Sequence, residues 1–235
     1  MTKWTVTLTG GTRHLKTLAR LNVDVTEEGH AFVLRHPELD VLSDAGAVQE
    51  KASQLVDALN GLGWQANPDF RPVGVGPISG DDGSHTMRVF VGDFLAVGED
   101  VDMRVTDSTG RVIPPPPPPA FYAKAMAVAL RDDAVRRALR YLVPPVIPGN
   151  LYKVYEVIRD DMGGKWTGKA AIVNKNWATD GELERFRGVH YPSIYGDEAR
   201  HGVDDVSQRP PSNPMLFPEA QAFLRRLLAR WIDSK

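Results

Sequence analysis

Cysteine does not occur in this 235-residue chain. That excludes disulfides, zinc–thiolate sites, iron–sulfur clusters and thiol nucleophiles, and it fits a reducing compartment. A long apolar run is also missing. Nowhere do about 18 apolar residues follow one another, so no transmembrane helix is expected. The opening stretch MTKWTVTLTGG lacks the apolar core of a secretory signal. These absences predict a cytoplasmic protein with no membrane contact. No sign of charge dominates: 28 Lys+Arg face 30 Asp+Glu, a formal net charge of −2. Hydrophobic residues at 42% and charged residues at 25% are ordinary for a soluble globular protein, which excludes disorder as the dominant state.

Several chemical signatures are lacking too. The six histidines are scattered, and no His-x-x-x-His pair occurs. Asp132-Asp133, Asp160-Asp161 and Asp204-Asp205 are adjacent pairs. On a helix such neighbours point about 100° apart, so they read as caps or solvated surface rather than metal ligands. No metal and no cofactor is expected. There is no Gly-x-Ser-x-Gly elbow, and Ser193, Ser207 and Ser212 fall in expected loops. Gly10-Gly11, after a strand-like stretch and before Arg13-His14, matches neither the Walker pattern nor the three-glycine dinucleotide fingerprint and reads as a structural turn. The glycine-rich GVGPISGDDGSHT has no following helix to aim amide dipoles at an anion.

What is present organises the chain in two. Six prolines, Pro114 to Pro119, should form a stiff polyproline II spacer. They set a linker over 109–119 between an α+β domain, 1–108, and a mostly helical domain, 120–235. Residues 1–119 hold 10 Lys+Arg against 16 Asp+Glu; residues 120–235 hold 18 against 14. The second part therefore suits an anionic partner better than the first.

In the first domain, KWTVTLTG alternates Trp4, Val6 and Leu8 with threonines, a strand. RLNVDVTEEGHAFVL reads as a hairpin with Leu21, Val23 and Val25 alternating. Ser43-Asp44 caps a helix reaching about Leu62, with Val48, Ala52, Leu55, Val56 and Leu59 inward and Gly61 and Gly63 ending it. Further strands are expected over 86–98 and 100–107. In the second domain, 120–143 predicts one or two helices and 149–162 another, with Leu151, Val154, Tyr155 and Ile158 inward. A short helix follows, with Leu183 and Phe186 inward. The last helix buries Ala220, Phe223, Leu224, Leu227, Leu228 and Trp231. Residues 165–180, with Trp166 and Trp177, fit helix or loop.

The chemistry concentrates in LERFRGVHYPSIYGDEARHG, residues 183–202. It carries Arg185, His190, Arg200 and His201. An arginine fork grips a phosphate bidentately. A histidine titrates near neutrality and can move a proton from a ribose 2′-hydroxyl or to a leaving 5′-oxygen. Such a set can cleave RNA without a metal. The alternatives are structural: Arg185 paired with Glu182 or Glu184, His190 at a helix C-terminus, and His201-Gly202 as a helix C-cap.

The second domain resembles the HEPN superfamily of helical-bundle domains, many of them metal-independent ribonucleases. The resemblance rests on the LYKVYEVIRDD helix, the Arg/His region after it, and the closing helix entered through PMLFPEAQAFLRRLL. RFRGVH, Arg185 to His190, satisfies that family's pattern of Arg, four to six residues, then His. The resemblance implies an endoribonuclease or RNA-binding protein of a bacterial toxin or antiviral defence system. In it His190 or His201 would be the acid/base and Arg185 or Arg200 the phosphate ligand. It also implies a homodimer, because paired domains of that family commonly build one composite site. The alternative is a non-enzymatic adaptor or sensor. It would dimerise through its helical domain, while the first domain recognises a protein partner.

Overall fold

The computed structural model describes residues 2–83, 85–86, 120–200 and 209–235. The strands expected beyond Thr86, the proline spacer and His201 lie outside the described residues. β1 (Trp4–Thr9) forms as the threonine alternation predicts, with Trp4, Val6 and Leu8 buried. The chain then departs from expectation. Gly10-Gly11 leads directly into a helix, α1 (Thr12–Leu21). Leu15, Leu18 and Leu21 share its buried face, so Leu21 completes a helical period rather than opening a strand. Val23, expected to alternate with it in the hairpin, is 82% exposed in the connection. The hairpin is real but shorter: β2 (Val25–Glu28) and β3 (Ala31–Leu34) pair antiparallel across Gly29-His30.

After a single turn, α2 (Pro37–Asp40), comes α3 (Ala45–Ala66). The Asp44 carboxylate caps α3 by accepting from the Ala47 amide at 2.8 Å, as Ser43-Asp44 predicts. Val48, Ala52, Leu55, Val56 and Leu59 are buried. Gly61 and Gly63 do not end α3; both lie inside it. A Cβ at Gly61 would sit 2.3 Å from the Leu139 carbonyl oxygen, and one at Gly63 would sit 2.6 Å from the Phe70 ring. These glycines permit close approach rather than termination. β4 (Gly74–Gly80) follows, then β5 (His85–Thr86). The sheet order is β2-β3-β1-β4-β5, antiparallel throughout, with Val6 opposite Leu34 on one side and Ile78 on the other. The glycine-rich stretch after Val73 is thus a strand of this sheet.

The C-terminal part is helical. α4 (Ala120–Arg131) and α5 (Asp133–Arg140) are separated by Asp132, whose carboxylate accepts from the Ala134 and Val135 amides and caps α5. α6 (Pro148–Asp161) buries Leu151, Val154, Tyr155 and Ile158. Residues 165–180 prove mainly helical, as α7 (Gly164–Asn174). α8 (Asp180–Phe186) buries Leu183 and Phe186 and tightens into a 3-10 turn, Arg187–His190. One turn, α9 (Pro192–Tyr195), precedes a 3-10 turn, Gly196–Glu198. α10 (Phe217–Asp233) buries Ala220, Phe223, Leu224, Leu227, Leu228 and Trp231 as expected. Each large apolar side chain so buried contributes roughly 1.5–3 kcal/mol before ordering entropy.

The architecture is α+β: an antiparallel sheet near the N-terminus and mostly helices after it. Buried side chains from both parts form one continuous core, from Trp4 to Ile232. α3 makes the join, touching β4 and α1 on one side and α4 and α5 on the other. Its C-terminal carbonyls are satisfied from α10: Arg225 donates to Gln65 O at 2.7 Å and to Ala66 O at 3.1 Å. The Gln65 side chain returns a bond to Arg225 O at 2.8 Å. No helix among the described residues is long and apolar enough to cross a membrane.

Candidate functional site

Arg185 is delivered by α8. That helix starts at a reciprocal cap, in which the Thr179 hydroxyl accepts from the Glu182 amide and Glu182 accepts from the Thr179 amide. This backbone bond and the Thr179 hydroxyl, with Arg226 beside it, hold the Glu182 carboxyl below its ordinary pKa. Arg185 pairs with neither Glu182 nor Glu184. Its two terminal nitrogens meet both carboxylate oxygens of Glu219, at 2.7 and 2.8 Å, and its Nε donates to Asn213 O at 3.1 Å. Glu219 belongs to the first turn of α10, where an acid is favoured by the helix dipole. The fork that would grip a phosphate therefore grips a carboxylate. Glu182 pairs instead with Arg226, and Glu184 with Arg187.

His190 closes the 3-10 turn and is only 7% exposed. Its ring stands edge-on to Tyr152, centroids 4.7 Å apart, and lies 4.1 Å from the Tyr191 ring. Tyr152 and Tyr155 come from α6. Burial raises the pKa of both phenols; Tyr155, further disfavoured by Tyr152 beside it, is pushed up to about 12. Arg187 completes this group. It lies over the Tyr191 ring, bonds the Tyr191 hydroxyl, donates to Arg209 O at 2.9 Å and pairs with Glu184. Arg185 thus faces α10 while His190 faces Tyr152 of α6.

Arg200 stands elsewhere. The 196–200 segment rests on the first turn of α6, where a Cβ at Gly149 would lie 3.1 Å from Ala199 O and 3.2 Å from Glu198 O. From there the Arg200 Nε reaches Glu156 at 3.2 Å. The two border a solvent-open recess of about 160 Å³ with Arg137 of α5, Tyr141, and Lys153 and Asp160 of α6. The Lys153 ammonium lies 5.5 Å from the centre of the Tyr141 ring. Asp160 pairs with Arg159 at 2.9 Å.

Sequence reasoning singled out Arg200 but missed Arg137, Tyr141, Lys153 and Glu156. A partial signal existed: Lys153, Glu156 and Asp160 recur at i, i+3 and i+7 on α6, opposite its apolar face. The contribution of α5 was not readable, because it depends on how two helices cross. Of the adjacent acids, Asp132 is a cap, Asp161 is a tertiary acceptor, and Asp204-Asp205 lie outside the described residues. Asp132 caps α5, and Asp161 accepts from the Trp231 indole at 2.8 Å and from Lys235. Among the described residues no three His, Asp or Glu side chains gather as a metal ligand set. No protein-family model, curated protein or solved structure matches the chain.

Proposed function

We propose that this chain is a non-enzymatic adaptor or sensor whose helical part is a binding scaffold. The observation that carries this reading is the state of the Arg185–His190 motif. Metal-independent RNA cleavage needs an arginine fork and a histidine converging where a phosphodiester can reach them. Here Glu219 occupies the fork through both oxygens, and His190 is enclosed by Tyr152 and Tyr191. Both residues serve as packing and strapping elements. Arg185 ties α8 to the 213–219 segment, and His190 fills the aromatic layer under α6.

A second reading keeps one support. Arg200 lines an open, cation-rich recess, and His201 follows it in sequence. A metal-independent ribonuclease of the HEPN type would then use Arg200 and His201 rather than Arg185 and His190.

Labelled RNA incubated with the protein in EDTA separates the two. The adaptor reading expects no cleavage above background by the wild type or by Arg185→Ala. Cleavage by a wild-type preparation that disappears in His190→Ala or His201→Ala, with circular dichroism unchanged, would sink it. The identity of the inactive variant would name the acid/base.

A further inference from the structure

We propose that the recess beside Arg200 binds a phosphate dianion, either free or as the terminal group of a phosphomonoester. Calling that anion the signal rests on the sensor reading above; the binding itself does not.

Three cationic side chains from three separate pieces of chain border the recess: Arg137 from α5, Lys153 from α6 and Arg200 from the segment laid on Gly149. Arg137 and Lys153 have no carboxylate partner among the described residues, although carboxylates are close by. Tyr141, also on the wall, carries a neutral donor in its hydroxyl. The two acids of the wall are already compensated, Glu156 by Arg200 at 3.2 Å and Asp160 by Arg159 at 2.9 Å. Three lining cations face two lining carboxylates, a net of one positive charge, and Arg159, outside the lining, offsets Asp160 further; the balance favours an anion. Size points the same way. Pockets for drug-sized molecules run from about 300 Å³, so about 160 Å³ suits a phosphoryl group rather than a whole nucleoside. The recess is open to solvent, which leaves room for an ester substituent outside.

A larger recess of about 490 Å³ between α7, α8 and α10 lacks this character. Its Arg226 is engaged by Glu182, and its Arg230 donates to the carbonyls of Asn176 and Trp177. Donors that already have good acceptors gain little from a ligand. Arg137 and Lys153 do not.

Glu156 gives the proposal a sign that a purely structural role would not produce. Its carboxylate holds Arg200 and repels an incoming anion. Glu156→Gln removes both effects, so phosphate should bind more tightly to that variant than to the wild type. Isothermal titration of the whole chain with inorganic phosphate, and separately with adenosine 5′-monophosphate, tests this. The wild type is expected to bind with a Kd of about 1 mM or below at low salt, weakening as salt rises. Arg137→Ala and Lys153→Ala should each weaken binding by about tenfold, the scale of one charge-assisted hydrogen bond. Arg131→Ala, a cation of α4 outside the recess, should not change it. Tighter binding of the nucleotide than of phosphate identifies a phosphomonoester source; equal binding identifies free phosphate. Either supports the shared chemistry. The proposal is overturned if neither anion binds the folded wild type, or if Arg137→Ala and Lys153→Ala bind like it. It is also overturned if Glu156→Gln binds more weakly. These outcomes are independent of the RNA assay: cleavage would end the adaptor reading and leave the phosphate site standing, and absence of phosphate binding would do the reverse.

Discussion

At the scale of single residues, two positions inside α3, Asn60 and Gly61, meet backbone from elsewhere in the chain. Asn60 is 2% exposed inside α3. Its amide donates to Val73 O and its oxygen accepts from Val73 N, both at 2.9 Å. This pair substitutes for a strand partner just before β4 and fixes where that strand starts. Asn60→Ala leaves a buried N–H and a buried C=O unmet, at roughly 1–3 kcal/mol each. A loss of about 2–4 kcal/mol is expected in urea unfolding; a loss under about 0.5 kcal/mol would mean the 71–73 segment holds its place without the side chain. Nothing in the sequence marks Asn60, because an asparagine on a helix is neutral until a backbone segment lies across it. Gly61 is similar: a glycine near a helix end reads as a stop, and only the Leu139 carbonyl beside it shows why it stands inside. The sequence marked Arg185 as a candidate phosphate ligand, but its partner was not legible. Glu182 and Glu184 are near in sequence, yet Glu219, on another helix, holds the geometry for two parallel bonds.

At the scale of elements, caps and faces carry the argument. Asp132 joins α4 to α5 and also meets Lys235 at 2.8 Å. Burial works against its charge, but the Lys235 ammonium and the Val135 and Ala134 amides outweigh it and hold its pKa below the ordinary value. A depressed carboxylate contributes stability that is present above its unfolded pKa and is lost as pH falls through the folded one. The side chain is 23% exposed and opposing effects partly cancel, so the pH effect is modest. Asp132→Ala should cost about 1–2 kcal/mol at neutral pH, chiefly through the lost cap. Asp132→Asn, which keeps a capping oxygen, should cost less, and its gap from wild type should close below about pH 4. Thermal melts across that range measure both; a gap that widens on acidification would contradict the assignment. Helices with a clean apolar period were legible, α10 and α6 most of all. α1 was not. Its three leucines overlap a short strand-like alternation, and a ten-residue helix opened by two glycines gives little local signal.

At the scale of the whole molecule, α3 is the shared wall between sheet and helices, and the core is continuous across it. Denaturant unfolding followed by tryptophan fluorescence, with Trp4 in β1, Trp64 on α3 and Trp231 on α10, should therefore coincide with loss of helix measured by circular dichroism. Two separated transitions would mean the sheet and the helical part stabilise themselves independently. The amino-acid sequence by itself determined the α+β class, the order of the strongly periodic elements, the cap at Asp44, and the inward faces of α3, α6, α8 and α10. Those properties follow from local periodicity and from bonds between near neighbours. Tertiary structure alone decided that Arg185 belongs to Glu219, that His190 lies against Tyr152 of α6, and that Arg137, Lys153 and Arg200 share one recess. Each of these joins residues far apart in the chain, and such meetings are set by how helices cross and how closely backbones approach, which no local pattern encodes.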